Sequence, residues 1–301
     1  MTLRPFVATL PVVAPYRLDL TVSVLRRFST NVVDRLSGDG DYERALDGFS
    51  APALVAVRQC NEAALEVAID APAGEAERAL ALVRRMLGVD RDLTRFDRAA
   101  AKVPWLRGLA KRMRGVKPPR YPTLWEACVN AVVFQQISLH AASAILRRVI
   151  EALGSKLEGA GGVLYAFPSP QTVLGATDAI LGSAGLSVNK IAALRRIAEA
   201  LLGGALDEAM LEERSSVDAA TLLTSIKGIG PWTAAVILLR GLGRLDVFPA
   251  KDSGVARSIA VIVGAEPIDV AATLKALGDY RGMLYYHLLL ARLDARGELT
   301  A

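Results

Sequence analysis

Fifteen residues, Leu222-Leu-Thr-Ser-Ile-Lys-Gly-Ile-Gly-Pro-Trp-Thr-Ala-Ala-Val236, constrain this chain more than any other stretch of its 301. Gly228 and Gly230 bracket Ile229, so the backbone can turn sharply, with positive φ where needed, and no Cβ blocks an approaching chain. Pro231 lacks the N–H that the first position of a helix does not need, so a helix starts there. The reading is two helices, Val217 to Ser225 and Pro231 to Leu242, joined by a hairpin, with Ile229 plugged between them and Lys227 at the rim. The second helix turns its free N–H groups and positive dipole end toward the hairpin, where an anion is accepted. An ordinary helical hairpin with glycines at a helix C-terminus fits the same residues.

Asp252 follows sixteen residues after Val236 and directly precedes Ser253-Gly-Val-Ala-Arg-Ser-Ile-Ala260, which has helical character. An Asp in that place reads as an N-cap for a helix from Ser253 to Val263. Capping would also keep a partly buried carboxylate ionised, so a chemical role is compatible with the structural one.

The first hundred residues differ in pattern from the rest. Arg17-Leu-Asp-Leu-Thr-Val-Ser-Val24 alternates as a half-buried strand does, and Ala53 to Gln59 and Leu65 to Ile69 are further strand candidates. Gly74 to Leu87 carries apolar residues at helical spacing, which makes this part a small α/β unit. From about Pro122 helices dominate. Thr123 caps the first, with Glu126 three residues on completing a capping-box pattern, and a helix from about Leu139 to Leu153 follows. Ser169-Pro170 and Thr177-Asp178 open later helices, and Gly185-Leu186-Ser187 separates two more. Between these parts, Ala101 to Arg120 holds seven basic residues and no acidic one. Such a run either tracks phosphates or forms a solvated linker.

Several short motifs occur in one order: Gly115-Val-Lys-Pro-Pro-Arg-Tyr-Pro122, Trp125-Glu-Ala, Gln135-Gln-Ile-Ser138, Phe167-Pro-Ser-Pro170, Gly185-Leu-Ser-Val-Asn-Lys190, the hairpin, Asp246-Val-Phe-Pro-Ala-Lys-Asp252 and Tyr280-Arg281. Over residues 115–290 the chain thereby resembles the helix-hairpin-helix DNA glycosylases, most closely the DNA-3-methyladenine glycosylase II group. The resemblance implies an α+β architecture. A TATA-binding-protein-like α/β domain would occupy residues 1–114, and an all-helical, two-lobed glycosylase core residues 115–301, with the helix-hairpin-helix at 217–242 and a cleft for a flipped base between the lobes.

The same resemblance implies roles for residues. Asp252 stands at the family's catalytic Asp position, where its charge would stabilise an oxocarbenium-like C1′ and orient or deprotonate water as the base leaves. In relatives that also cut the strand, a Lys two positions after the second hairpin Gly forms a Schiff base with the sugar. Trp232 stands there instead, which implies a monofunctional enzyme that leaves an abasic site. Trp232 could stack on a cationic alkylated purine or serve as a core aromatic. Gln135 and Gln136 fall at the strand-inserting loop, with Gln136 at the wedge position and Gln135 toward the base, though an amide pair at a helix end fits them too. Pocket positions that are aromatic in well-known relatives fall on Val24, Val236, Leu289 and Leu290, which leaves the range of bases open, with Tyr280, Tyr285 and Tyr286 available as other rings. Lys227, Gly228, Ile229, Gly230 and Thr233 would hold the DNA backbone.

Composition excludes some alternatives. Cys60 and Cys128 cannot supply a four-thiolate metal or iron–sulfur site, and with only His140 and His287 a metal-dependent hydrolase is poorly supported. The expectation is therefore catalysis without metal or cofactor, compatible with a monovalent cation bridging hairpin and DNA phosphate. Apolar runs are too short for a membrane span, Ala234 to Leu239 being stopped by Arg240, and Met1-Thr-Leu-Arg-Pro-Phe lacks a cleavage pattern. A cytoplasmic, nucleoid-associated monomer acting on damaged double-stranded DNA is expected. A DNA-binding module without catalysis remains the contrasting reading.

Overall fold

The computed structural model describes residues 5–250, 253–263 and 268–299. Its first part runs β1 (Phe6–Pro11), α1 (Leu18–Arg26), β2 (Asp34–Leu36), β3 (Tyr42–Leu46), β4 (Ala53–Asn61), β5 (Ala64–Asp70) and α2 (Ala76–Met86). The strands form one antiparallel sheet in the order β1-β5-β4-β3-β2. In β4 and β5 the period of two is visible: Val55, Val57, Val67 and Ile69 are buried, while Arg58 and Glu66 face out. Helix α2 lays Ala79, Val83 and Met86 on the apolar face.

The segment expected as a strand from Arg17 to Val24 is helix α1. Its alternation of Leu or Val with Asp, Thr and Ser misleads because Leu18 and all of Leu20 through Arg26 are buried, so no solvent face imposes a period. The Thr21 hydroxyl satisfies itself within the chain, donating to the Arg17 carbonyl at 2.7 Å and accepting from the Lys117 N–H at 3.1 Å. Arg17 offers no side-chain cap. Gln59 of β4 does that work from across the fold, its Oε1 accepting from the Leu18 N–H at 2.8 Å.

The basic run is also structured. It contains all of α4 (Pro104–Arg112), which follows α3 (Thr94–Ala100). Lys117 and Arg120 are buried: Lys117 Nζ donates to the Arg91 carbonyl at 2.9 Å, and Arg120 Nε donates to the Gly241 carbonyl at 2.8 Å and pairs with Glu208 and Glu212. Burial lowers the Lys117 pKa, against the pull of Asp92 and Asp97. Met113 and Val116, on either side of the domain boundary expected after Arg114, lie in one apolar cluster together with Leu284 and Leu288 from the C-terminal end.

The remainder comprises α5 (Leu124–Val133), α6 (Leu139–Leu153), a small hairpin of β6 (Lys156–Gly159) and β7 (Gly162–Tyr165), then α7 (Pro170–Gly175), α8 (Asp178–Ser183), α9 (Val188–Leu202), α10 (Glu208–Glu212), α11 (Ser216–Thr224), α12 (Pro231–Gly241), α13 (Ser253–Val263), α14 (Val270–Leu277) and α15 (Gly282–Asp294). The hydroxyls of Ser138, Ser169, Thr177, Ser187 and Ser215 each accept from the N–H three residues on, and Ser169 and Thr177 open helices where the sequence places them. At Thr123 only half of the capping box forms. Its hydroxyl accepts from the Glu126 N–H, while the Glu126 carboxylate turns away to bind the buried Arg44 of β3 at 2.6 Å. Arg44 Nη1 also donates to Asp34 at 2.6 Å, which Tyr42 contacts as well. Burial would depress the Arg44 guanidinium, and the two carboxylates hold it well above its ordinary value instead. This network joins the sheet to the first turn of α5.

Two helical cores result. One gathers α5, α9 and α12, and the other α3, α4 and α15. No helix among the described residues is long and apolar enough to cross a membrane.

Candidate active-site cavity

The turn between α11 and α12 has Gly228 at φ 110° and Gly230 at φ −91°. A Cβ on Gly228 would meet the Ala193 Cβ of α9 at 2.5 Å, so glycine is needed for the turn and for packing. At Gly230 a Cβ would meet nothing within 4 Å, and no intramolecular contact demands its absence. Ile229 is buried between the helices in the α5–α9–α12 core, whereas Lys227 is exposed. Pro231 opens α12, and no side chain caps that helix start. The positive dipole end of α12 therefore faces the hairpin without a side-chain cap from Gly230.

Gln135, two residues beyond the end of α5, reaches the hairpin. Its Nε2 donates to the Gly228 carbonyl at 2.9 Å and to the Thr233 hydroxyl at 2.7 Å. Thr233, expected at the DNA backbone, is buried with its hydroxyl engaged by this bond, because α12 turns it inward toward Gln135. Lys190 of α9 secures the same corner, Nζ donating to the carbonyls of Val133 and Gln135 at 2.7 and 3.1 Å. Gln136 is exposed and held at φ 58°, a left-handed conformation uncommon for a residue with a Cβ.

These elements border a cavity of about 640 Å³. Phe134, Gln135 and Gln136 line one side, the hairpin with Trp232, Thr233 and Val236 another, and Gly254, Val255, Arg257 and Ser258 of α13 a third. Helix α15 adds Tyr285, Leu288, Leu289 and Arg292. Trp232 is half-buried, lines the cavity and also packs on the apolar core. Of the candidate tyrosines, Tyr285 is on the wall, while Tyr286 is buried and donates to the Leu239 carbonyl at 3.1 Å.

The expected wall residue Val24 is not on the wall. It is fully buried inside α1, where its carbonyl accepts from Arg240 at 3.0 Å, and the helical rather than extended backbone is what turns it inward. Leu290 is likewise buried in the core of α15. Arg27, just beyond α1, takes the place on the wall, with Asn130 beside it. Sequence reading passed over Arg27 because a basic residue after an assumed strand carries no signal of its own. The described wall carries three guanidinium groups, Arg27, Arg257 and Arg292, and no carboxylate or lysine. Asp252 lies outside the described residues, as does Lys251; the helix that follows them places Gly254 and Val255 on the cavity wall.

Residues 129–278 match the family described as HhH-GPD superfamily base excision DNA repair protein. The chain is 31% identical over 180 residues to a DNA-3-methyladenine glycosylase of Bacillus subtilis, a match that covers 60% of this chain and 59% of that relative. It spans about half the length of the curated relatives it matches, from 35% to 59%. In three dimensions it is similar to a 3-methyladenine DNA-glycosylase from Archaeoglobus fulgidus, with TM-score 0.79 and 25% identity over 96% of this chain and 99% of the other. It shares its fold with an 8-oxoguanine glycosylase/lyase of Clostridium acetobutylicum at TM-score 0.72 and 15% identity, covering 98% of this chain and 99% of that one. From the hairpin, the cavity beside it and these matches, residues 129–278 belong to the HhH-GPD superfamily of base excision DNA repair proteins, and the chain is similar to relatives named DNA-3-methyladenine glycosylase.

Proposed function

We propose that this chain is a monofunctional DNA glycosylase that flips an alkylated base, 3-methyladenine and its like, out of double-stranded DNA and hydrolyses its N-glycosidic bond. The observation that carries the reading is the cavity of about 640 Å³ lying against the hairpin, with Trp232 on its wall. Its size is in the range of about 300–1,000 Å³ usual for small-ligand sites. A phosphate clamp alone has no use for such a cavity, which weighs against a purely DNA-binding module.

In this reading the exposed hairpin at Lys227, Gly228 and Gly230 grips the phosphates. The open space at Gly230 admits the DNA backbone, and Gln136 enters the gap left by the flipped base. Trp232 and Tyr285 offer ring faces, while Val236 and Leu289 close the apolar side. Asp252 acts on the sugar side, and since alkylated purines are already good leaving groups the pocket need not protonate them. Trp232 at the position where strand-cutting relatives carry lysine supports hydrolysis without a Schiff base. The sheet with α1 and α2 is the TATA-binding-protein-like unit, and a monomer working in the cytoplasm without a cofactor, beyond a monovalent cation at the hairpin, completes the proposal.

Defined lesion duplexes, incubated with and without alkali, test it. Base release followed by strand breakage only after alkali is expected, and breakage without alkali would overturn the monofunctional reading. Asp252→Asn is expected to lower single-turnover release by roughly three orders of magnitude or more, with duplex affinity within about twofold of wild type. Release at the wild-type rate would remove Asp252 from the mechanism.

A further inference from the structure

Arg27 is 5% exposed, yet it forms part of the cavity wall. Its backbone sits at φ 60°, a conformation an arginine rarely adopts, and this turn after α1 directs the chain past the cavity. The guanidinium lies over the Phe134 ring at 3.9 Å, and Nη2 donates to the Tyr121 hydroxyl at 2.8 Å. That hydroxyl in turn donates to Asn130 Oδ1 at 2.9 Å, which Arg27 Nη1 also approaches at 3.4 Å. The plane is therefore held in place before any ligand arrives.

What the arrangement lacks is a directly paired carboxylate. Among the described residues none forms an ion pair with Arg27, Asp34 favouring the cation only from a distance, and the Tyr121 ring it borders carries a second buried cation, Arg240, 4.6 Å from its centroid. A guanidinium has five N–H donors; here two are engaged, one of them at 3.4 Å, and the buried Nε has no partner. Burying a charge that only neutral groups contact is costly, and a fold that keeps one on a cavity wall has spare donors for an acceptor. Burial, aided by Arg240, lowers the Arg27 pKa, but an arginine remains protonated.

We propose that Arg27 is a specificity-determining residue, its guanidinium donating to a carbonyl oxygen of the flipped base and favouring neutral bases with such an acceptor over cationic ones. The inference rests on the glycosylase chemistry proposed above and extends its substrates from alkylated bases to neutral 6-oxopurines. A 6-oxopurine such as hypoxanthine presents a carbonyl acceptor and no charge. A 3-methyladenine nucleotide presents a positive charge and no carbonyl, so it meets repulsion without a compensating bond. Stacking on Trp232 serves both bases, which leaves Arg27 to set the ratio between them.

The experiment measures single-turnover release of hypoxanthine and of 3-methyladenine from otherwise identical duplexes by wild type, Arg27→Gln and Arg27→Lys. Arg27→Gln is expected to lower the hypoxanthine-to-3-methyladenine rate ratio by roughly 10- to 100-fold, and Arg27→Lys by less, since it keeps the charge but not the stacked plane. Equal falls in both rates, with an unchanged ratio, would make Arg27 a structural residue and overturn the proposal. Wild-type release of 3-methyladenine without hypoxanthine would overturn it too, leaving the glycosylase reading intact; release of neither base would overturn both. A measurement on wild type alone guards against a misfolded variant. Quenching of tryptophan fluorescence by free bases is expected to show hypoxanthine binding about tenfold more tightly than adenine, and equal affinities would count against the proposal.

Discussion

The two sides of the cavity are built differently. The hairpin side, from α11 through α12, is held by local means: Gly228 makes the turn, Ile229 fills the space between adjacent helices, and Pro231 starts the next helix. The opposite side, where α1 ends at Arg27, is held by partners far away in the chain. Tyr121 binds Arg27, Arg240 binds the Val24 carbonyl, and the Glu298 carbonyl accepts from Arg26. A local device can be read from a short stretch of residues. A wall assembled from distant partners shows itself only when they meet.

If that contrast is real, the long-range side should be broken by residues that look ordinary in sequence. Arg44→Ala removes the cation between Asp34 and Glu126 and leaves two buried carboxylates uncompensated. A loss of about 3–5 kcal/mol in unfolding free energy by denaturant titration is expected, the largest effect among these tests. A loss under about 1 kcal/mol would mean that the sheet and α5 are not coupled through this network.

A smaller effect concerns α15, which supplies Tyr285 and Leu289 to the wall. His287 on that helix is buried, and desolvation pushes its pKa down to about 4 from an ordinary 6.5, against a backbone hydrogen bond with Met283. The unfolded chain therefore binds more protons between those values, so stability rises with pH through the window and is lost as pH falls from about 6.5 toward 4. The full contribution is up to about 3 kcal/mol. Replacing His287 with Gln should flatten this part of the stability profile, and an unchanged slope between wild type and variant would assign the acid sensitivity elsewhere.

The hairpin side is sharpened by two single substitutions of the same kind. Gly228→Ala must accept positive φ and a 2.5 Å approach to Ala193, and a loss of about 1–3 kcal/mol is expected. Gly230→Ala meets no atom and needs no left-handed backbone, so stability should stay within about 1 kcal/mol of wild type while duplex affinity falls. Thermal unfolding paired with a binding titration separates the two. Equal behaviour at both positions would erase the distinction between a glycine required by the fold and one required by a partner.

Much of the helical part was legible because capping and helix-start signals are short-range: Thr123, Ser169, Thr177 and Pro231 act where their spacing predicts, and α13 begins at Ser253 as expected. The errors fall where burial is complete or the partner is remote. In α1 the alternation from Arg17 to Val24 imitated a strand because both helix faces are buried, and its N-terminus is capped by Gln59 rather than by a neighbour. The basic run from Ala101 to Arg120 looked uniform, yet it divides into helix α4 and two buried cations that tie the chain to Arg91 and Gly241. Within the candidate site, Trp232, Gln135, Gln136, Val236 and Leu289 come together on one cavity, whereas Val24 gives way to Arg27.

The sequence alone determined the hairpin and most helix starts, because each depends on residues within a few positions of one another, and it pointed to the family through short motifs kept in one order. Tertiary structure decided which face of α1 meets the cavity, which hydroxyl of the α12 first turn is already engaged, and that the described wall is rich in guanidinium groups without a carboxylate. Those outcomes depend on desolvation and on partners tens to hundreds of residues apart, and neither quantity exists until the chain has folded.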